Sequence, residues 1–297
     1  MPQAFPTDPE ELAAYKGLEA YRKIESNYLQ SIQKAEWLAV AKAFLTLDKP
    51  ATNYAYTPVS HWPFSVAPGS GAHHRHFGGL AVHTLQNLEY AGAWADVYNS
   101  RGIGINRDLL LATIIIHDTM KRFIYQFDQD FNFVKIEDPF IAKNEDHHSW
   151  VLRELTARAV DKELLLSIAA IHGIDDVTLD QGVKGVAVVN HHLQIGDTGL
   201  EYTMDDVRPE HVIAFLSDSD WHWSGQAQRK TGVLANQLAA RFALNPAYLQ
   251  VYLGSRFTYE QVGHYVDQHG YEKAAEIVCE LIETADISER QRHAATT

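Results

Sequence analysis

The chain is 297 residues long, 46% hydrophobic and 21% charged, enough to bury about three quarters of its unfolded surface without covalent staples. Its one cysteine, Cys279, excludes a disulfide framework and a Cys-rich zinc module. Twenty-five basic residues against 38 acidic ones give a net charge of −13, the wrong sign for a protein held on duplex nucleic acid by a broad basic face. A short nucleotide or a single-strand end in a local pocket stays compatible with that charge.

Helical periodicity runs from about Glu10 to Leu47, through Leu12, Tyr15, Leu18, Tyr21, Leu29, Ile32, Trp37, Val40 and Phe44. Asp48 to Gly71 contains Pro50, Pro58, Pro63 and Pro68, so an irregular segment is expected there. Helical patterns resume over Gly79–Asn99, Arg107–Arg122, Asp146–Val160, Lys162–Ile171, Pro209–Ser219, Gln226–Leu244 and Tyr259–Ala285. One place reads as β: Tyr125, Phe127, Phe131 and Phe133 alternate around Asp128-Gln129-Asp130, the pattern of a short hairpin. The fold expected is all-α, a helical bundle with at most one small hairpin. The longest apolar run, Leu109 to Ile116, is too short to cross a membrane. The first residues lack the basic start and apolar stretch of a signal peptide. These features set the expectation of a soluble, cytoplasmic protein.

The unusual number is histidine. There are 16, and 13 lie between His61 and His222; histidine is the commonest metal ligand and the commonest acid/base at neutral pH. The all-round apolar segment Leu109–Ile116 belongs at the centre of a bundle and runs directly into His117-Asp118. An imidazole and a carboxylate beside the core need a partner, because an unpaired buried carboxylate is costly. Upstream lies His73-His74-Arg75-His76, with His83 one turn into a new helix. Downstream come His147-His148, His172, His191-His192 and Asp218-Ser219-Asp220. A bundle can collect such groups from facing helices, and imidazoles with carboxylates but no thiolates favour Mn, Fe, Co, Ni or Zn.

The order His83 … His117-Asp118 … Asp218 resembles the HD-domain superfamily of metal-dependent phosphohydrolases. His73-His74-x-x-x-Gly78-Gly79-Leu80-x-x-His83-Thr84-Leu85 resembles the opening of HD-domain 3′–5′ exoribonucleases and of HD-type conjugative relaxase modules. His117-Asp118-Thr119-Met120-Lys121 is similar to the HDxGK signature, with Met120 where Gly is usual. Asn190-His191-His192 followed by Gly196 to Tyr202 resembles a stretch of HD-GYP phosphodiesterases, and equally the corresponding segment of inositol oxygenase. The resemblance covers about His73 to Trp223. It implies an HD metal-binding core at 73–224, a helical N-terminal extension at 1–72 and a helical C-terminal extension at 225–297 packed on the core, all one compact unit.

Carried over residue by residue, the resemblance implies His83, His117, Asp118 and Asp218 as metal ligands, with Asp118 bridging two divalent ions (Mn, Fe, Ni, Co, Zn or Mg). Dinuclear members add two histidines from intervening helices. His148 shares the apolar stripe of Val151, Leu152 and Leu155, so it is the first choice; His147, on the face of Glu154 and Arg158, stays open. His191 is the second choice, 27 positions before Asp218, with His172, at the end of its own apolar helix, as competitor. Lys121 is expected on the His117 side of a helix, as a catalytic and phosphate-binding group. His74 and Arg75 are candidates to grip a phosphate, and His192 to protonate a leaving group. Phe123 to Phe133 could wall the pocket, though core packing suits them better. The function implied is hydrolysis of a phosphomonoester or phosphodiester of a nucleotide or similar small molecule. An HD-fold di-iron oxygenase and a non-catalytic nucleotide-binding module are the alternatives.

Overall fold

The computed structural model describes residues 5–52, 61–135, 147–172 and 182–296. Among them the chain is a helical bundle with one two-stranded antiparallel hairpin, the architecture the periodicities imply. Among the described residues no helix is long and apolar enough to cross a membrane.

The N-terminal periodicity is split among three helices, α1 (Pro9–Ala13), α2 (Gly17–Lys23) and α3 (Ala35–Leu45). A wide helical turn at Ile24–Tyr28 and a tight one at Leu29–Ser31 follow α2, so apolar spacing survives while the axis changes. Asp8 caps α1 by accepting from the Glu10 and Glu11 N–H groups, and Pro9 takes the first helical position. The carboxylate of Asp108 accepts from the backbone of Gln33 and Lys34 and so fixes the entry to α3.

Helices α4 (Gly79–Ser100) and α5 (Arg107–Ile116) form the centre with α3, α8 (Lys162–Ile171) and α10 (Pro209–Asp218) around them. Leu109, Leu110, Ala112, Ile114, Ile115 and Ile116 of α5 are all buried, as an apolar-all-round helix must be. The pattern expected to run on to Arg122 stops at Ile116. His117 Nδ1 bonds the Ile114 carbonyl and Thr119 Oγ1 the Ile116 carbonyl, occupying acceptors that a continuing helix would use. The chain turns over His117–Met120, makes the short α6 (Lys121–Ile124) and enters β1 (Tyr125–Phe127), which pairs with β2 (Phe133–Lys135) in the register Phe127↔Phe133.

Helix α7 (His147–Ala157) and α9 (Gly182–Ile195) pack beside α8. The C-terminal part is α11 (Trp221–Phe242), α12 (Pro246–Phe257) and α13 (Tyr259–Thr296), the last interrupted at Gly270, whose φ is 73°. Helices α9 and α12 are absent from the periodicity reading. Val189 and Leu193 of α9 join the central core, whereas α12 builds a second core with α11 and α13, in which Leu234, Leu249, Tyr252 and Val262 meet Leu12, Val66 and Phe77.

Gly17 of α2 is pressed against Gly78, just before α4: a Cβ added to Gly17 would lie 2.4 Å from Gly78 Cα and 2.5 Å from the Ser65 carbonyl oxygen. Both neighbours are backbone, so nothing flexible can move aside. Gly17→Ala is expected to cost about 1–3 kcal/mol, read as a lower urea midpoint with an unchanged slope.

Candidate metal centre

Helix ends and facing helical sides deliver one buried polar group. His83 lies in the second turn of α4, His117 and Asp118 in the turn closing α5, and Asp218 at the end of α10. Their donor atoms all lie within 4.8 Å of one another, about twice a metal–ligand bond. His83 Nε2 is 3.1 Å from Asp118 Oδ2 and 2.9 Å from Asp218 Oδ1. His117 Nε2 is 3.4 and 3.5 Å from the same two oxygens.

The other oxygens of the two carboxylates face a second pair of imidazoles. His147 Nε2 lies 3.1 Å from Asp118 Oδ1. His172 Nε2 lies 3.7 Å from Asp118 Oδ1 and 3.5 Å from Asp218 Oδ2. Asp118 is thus placed between His83 and His117 on one oxygen and His147 and His172 on the other.

Several observations test whether this set suits a cation. His117 Nδ1 donates to the Ile114 carbonyl at 2.7 Å, so in the neutral ring Nε2 is the bare nitrogen. That nitrogen is fully buried and has no hydrogen-bond partner among the described residues, although two carboxylates face it. A backbone bond on one nitrogen that orients the other is the usual support of a metal-bound histidine. Asn87, one turn after His83, donates to Asp218 Oδ1 at 2.9 Å and orients that carboxylate in turn. Burial works against charge on His117, but the Asp118 and Asp218 carboxylates override it and lift the ring to about 10. Protons and cations therefore compete for the same lone pairs.

Lys121 is buried and salt-bridged to Asp118 Oδ2 at 2.5 Å. It reaches that carboxylate from the turn, not along the His117 face of a continuing helix. Burial opposes its charge, and Asp118 and Asp218 outweigh burial and raise it above the ordinary lysine value. A cleft of about 270 Å³ opens over the group and is lined by His73, Lys121, Tyr125, His147, His172 and Asp218, among others. Of the aromatic run, Tyr125 reaches the cleft. Phe123 packs on Trp150, Phe127 on Phe77 and Phe131 on Tyr248.

The remaining sequence candidates lie elsewhere. His148 stacks on His172 with ring centres 3.5 Å apart, and burial drives its pKa well below the usual value. His147, His148 and His172 together make a further group of possible ligands, but the nitrogen facing Asp118 from this pair is that of His147. The apolar-stripe argument assumed that the other face of α7 meets water. It does not: Glu154 on that face is buried and accepts from the Ala51 and Thr52 N–H groups, the Thr52 hydroxyl and Arg158. His191 is exposed on α9, its ring 6.1 Å from that of His192, which in turn lies 5.2 Å from His148. Neither His191 nor His192 joins a possible ligand group among the described residues. Arg75 is turned to the C-terminal helices, donating to Gln250 Oε1 and bonding Gln228 and Tyr259 through its backbone. His74 is buried against His73, Gln86 and Glu260.

These bonds make Glu154 a pH-sensitive clasp. Burial alone would raise its pKa, but the Ala51, Thr52 and Arg158 donors lower it below the ordinary value. The stability it gives is present above the unfolded carboxylate pKa near about 4.3 and is lost as pH falls through the lowered folded value. Glu154→Leu is expected to lower stability at pH 7 by roughly 2–3 kcal/mol, with a smaller difference from the wild type below pH ~4; urea titrations at both pH values check it.

Comparison with known proteins adds one relative. Over 127 residues the chain is 31% identical to the dihydroneopterin 2′,3′-cyclic phosphate phosphodiesterase of Methanocaldococcus jannaschii. The matched stretch is 42% of this chain and spans about half, 49%, of that protein. No family model matches the chain, and no solved structure does.

Proposed function

We propose that the protein is an HD-type phosphohydrolase that uses two divalent metal ions to cleave a phosphoester of a small substrate, a nucleotide or a related cyclic phosphate. The observation that carries the reading is the division of Asp118: one oxygen faces His83 and His117, the other His147 and His172. The likeness to a phosphodiesterase supports the reaction class. In this reading His83, His117, Asp118 and Asp218 hold one ion, and Asp118, His147 and His172 the other.

Bound divalent metal would supply Lewis acidity, making hydroxide available near neutral pH and drawing charge from the phosphoryl group. The chain's own residues do the rest. Asn87 and the Ile114 carbonyl fix the Asp218 carboxylate and the His117 ring. Lys121, charged and held by Asp118, places a cation at the floor of the cleft for the oxygens of the transferred group. Tyr125 gives the cleft one aromatic wall.

The test is hydrolysis of bis(4-nitrophenyl) phosphate and a nucleotide panel that includes 2′,3′-cyclic monophosphates. The protein is stripped by chelation and reloaded with Mn²⁺, Ni²⁺ or Mg²⁺. Activity that disappears on chelation and returns with metal is expected. No turnover with any metal would overturn the hydrolase reading and direct attention to iron content and oxygen uptake.

A further inference from the structure

Helices α8 and α10 each deliver a group to the metal centre at one end: His172 closes α8 and Asp218 ends α10. Their opposite ends, 10 residues and so about 15 Å away, open a separate cavity of about 320 Å³. It is lined by Lys162, Glu163, Leu166, Asp206, Arg208 and His211, none of which the mechanism above uses.

The charged groups of this cavity are unequally engaged. Glu163 accepts from Arg208, and Asp206 accepts from the Thr203 N–H and hydroxyl, which hold its pKa below the ordinary carboxylate value. Arg208 keeps guanidinium N–H groups beyond the one that bonds Glu163. Lys162, the exposed first residue of α8, acts on Asp206 through space. Asp161 caps α8 by accepting from the Leu164 N–H, but no side chain caps α10, whose N-cap residue is Arg208. An open helix N-terminus carries partial positive charge and favours an anion.

His211, in the first turn of α10, adds a donor of another kind. It is 2% exposed, yet its ring lines the cavity. Its Nδ1 lies 2.7 Å from the hydroxyl of Tyr202, itself 1% exposed. A phenol buried this far needs an acceptor for its O–H, so the hydroxyl donates to Nδ1. Burial, reinforced by Arg208, lowers the ring to about 4, so it is neutral at pH 7 and its single proton sits on Nε2. That nitrogen has no hydrogen-bond partner among the described residues. With Nδ1 turned to Tyr202, it is the edge left to the cavity.

We propose that this cavity binds the phosphoryl group of a small molecule, with Lys162, Arg208 and the His211 Nε2–H as donors and the open start of α10 beside them. Three donors drawn from two helices suit the several oxygens of a phosphoryl group better than the two of a carboxylate. Leu166 gives the attached part of the ligand an apolar wall. The site is separate from the metal centre and does not depend on the phosphoester reading of the cleft.

Histidine-ring ¹H–¹⁵N spectra of the Mg²⁺-loaded full chain, titrated with inorganic phosphate, test it. The His211 signal is assigned by its loss in a double variant, His211→Phe with Tyr202→Phe, which removes the Nε2–H without stranding the hydroxyl. A saturable shift of that signal is expected, with a Kd on the order of 1 mM. Lys162→Glu is expected to weaken binding about tenfold or more, the size of one charge-assisted hydrogen bond. An acidic residue in the first turn of α8 does not endanger the helix. Arg208→Gln should weaken binding by a similar factor, and acetate at matched ionic strength should bind far more weakly than phosphate. Four results would each overturn the proposal: no saturable shift at His211, shifts confined to the cleft residues His73, His147 and His172, a response that neither Lys162→Glu nor Arg208→Gln alters, or equal affinity for acetate. A protein that binds phosphate here but hydrolyses no ester leaves this site standing and overturns the hydrolase reading alone.

Discussion

Asp118→Ala is expected to lower metal-dependent phosphodiester hydrolysis by roughly 10³-fold or more, because it removes the carboxylate that faces His83, His117, His147 and His172 together. The same substitution has a second effect that is independent of catalysis. Lys121 is 4% exposed and its ammonium is bonded to Asp118. Taking away one partner of a buried ion pair strands the other, at a cost of about 3–5 kcal/mol. Asp118→Ala should therefore unfold at a markedly lower urea concentration than the wild type, both measured after chelation. Adding Lys121→Met removes the stranded charge and should recover most of the stability without recovering any turnover. The two measurements separate the roles of the residue: a double variant as unstable as Asp118→Ala would refute the stranded-ammonium argument, and an active Asp118→Ala would refute the bridging one.

How far the sequence could be read depended on whether a feature was local. The apolar run Leu109–Ile116 led to the central helix, and alternation about Asp128-Gln129-Asp130 led to the hairpin, because both signals are carried by neighbours in the chain. The grouping of His83, His117, Asp118 and Asp218 followed a motif order, and the structure places those four side chains together. Asn87 had a usable signal, since it follows His83 by one helical turn on the same face, and it was not weighed. Glu260 had none. It stands 186 positions beyond His74 and meets it only because α13 folds back over the loop before α4. Helices α9 and α12 escaped for a similar reason: their burial depends on partners distant in the chain, and single-segment periodicity was weak. The choice between His147 and His148 turned on an assumption about water. A polar helical face was read as a solvated one, whereas Glu154 is buried with a full set of donors from residues 51 and 52 and from Arg158.

That choice yields the other large expected effect. If Asp118 Oδ1, His147 and His172 hold an ion, His147→Ala and His172→Ala should each bind one metal equivalent instead of two, and each should lose about 10²–10³-fold in rate. His148→Ala should keep both equivalents, because its ring supports His172 by stacking, while His147 and His172 are the histidines placed against Asp118 Oδ1. Its loss should stay near the 10- to 100-fold range of residues that orient a ligand, at about the lower end. His191→Ala, on the exposed side of α9, should change neither metal content nor rate. Metal analysis on the four purified variants decides among these readings. Loss of an equivalent in His148→Ala or His191→Ala, with His147→Ala still holding two, would mean that the ion sits between α7 and α9 and not against Asp118. The division of the carboxylate oxygens between two histidine pairs would then have to be explained as packing alone. A packing explanation is physically expensive, because it would bury two carboxylates and four imidazoles around Lys121 with no cation among the described residues beyond that lysine and the histidine protons to offset them.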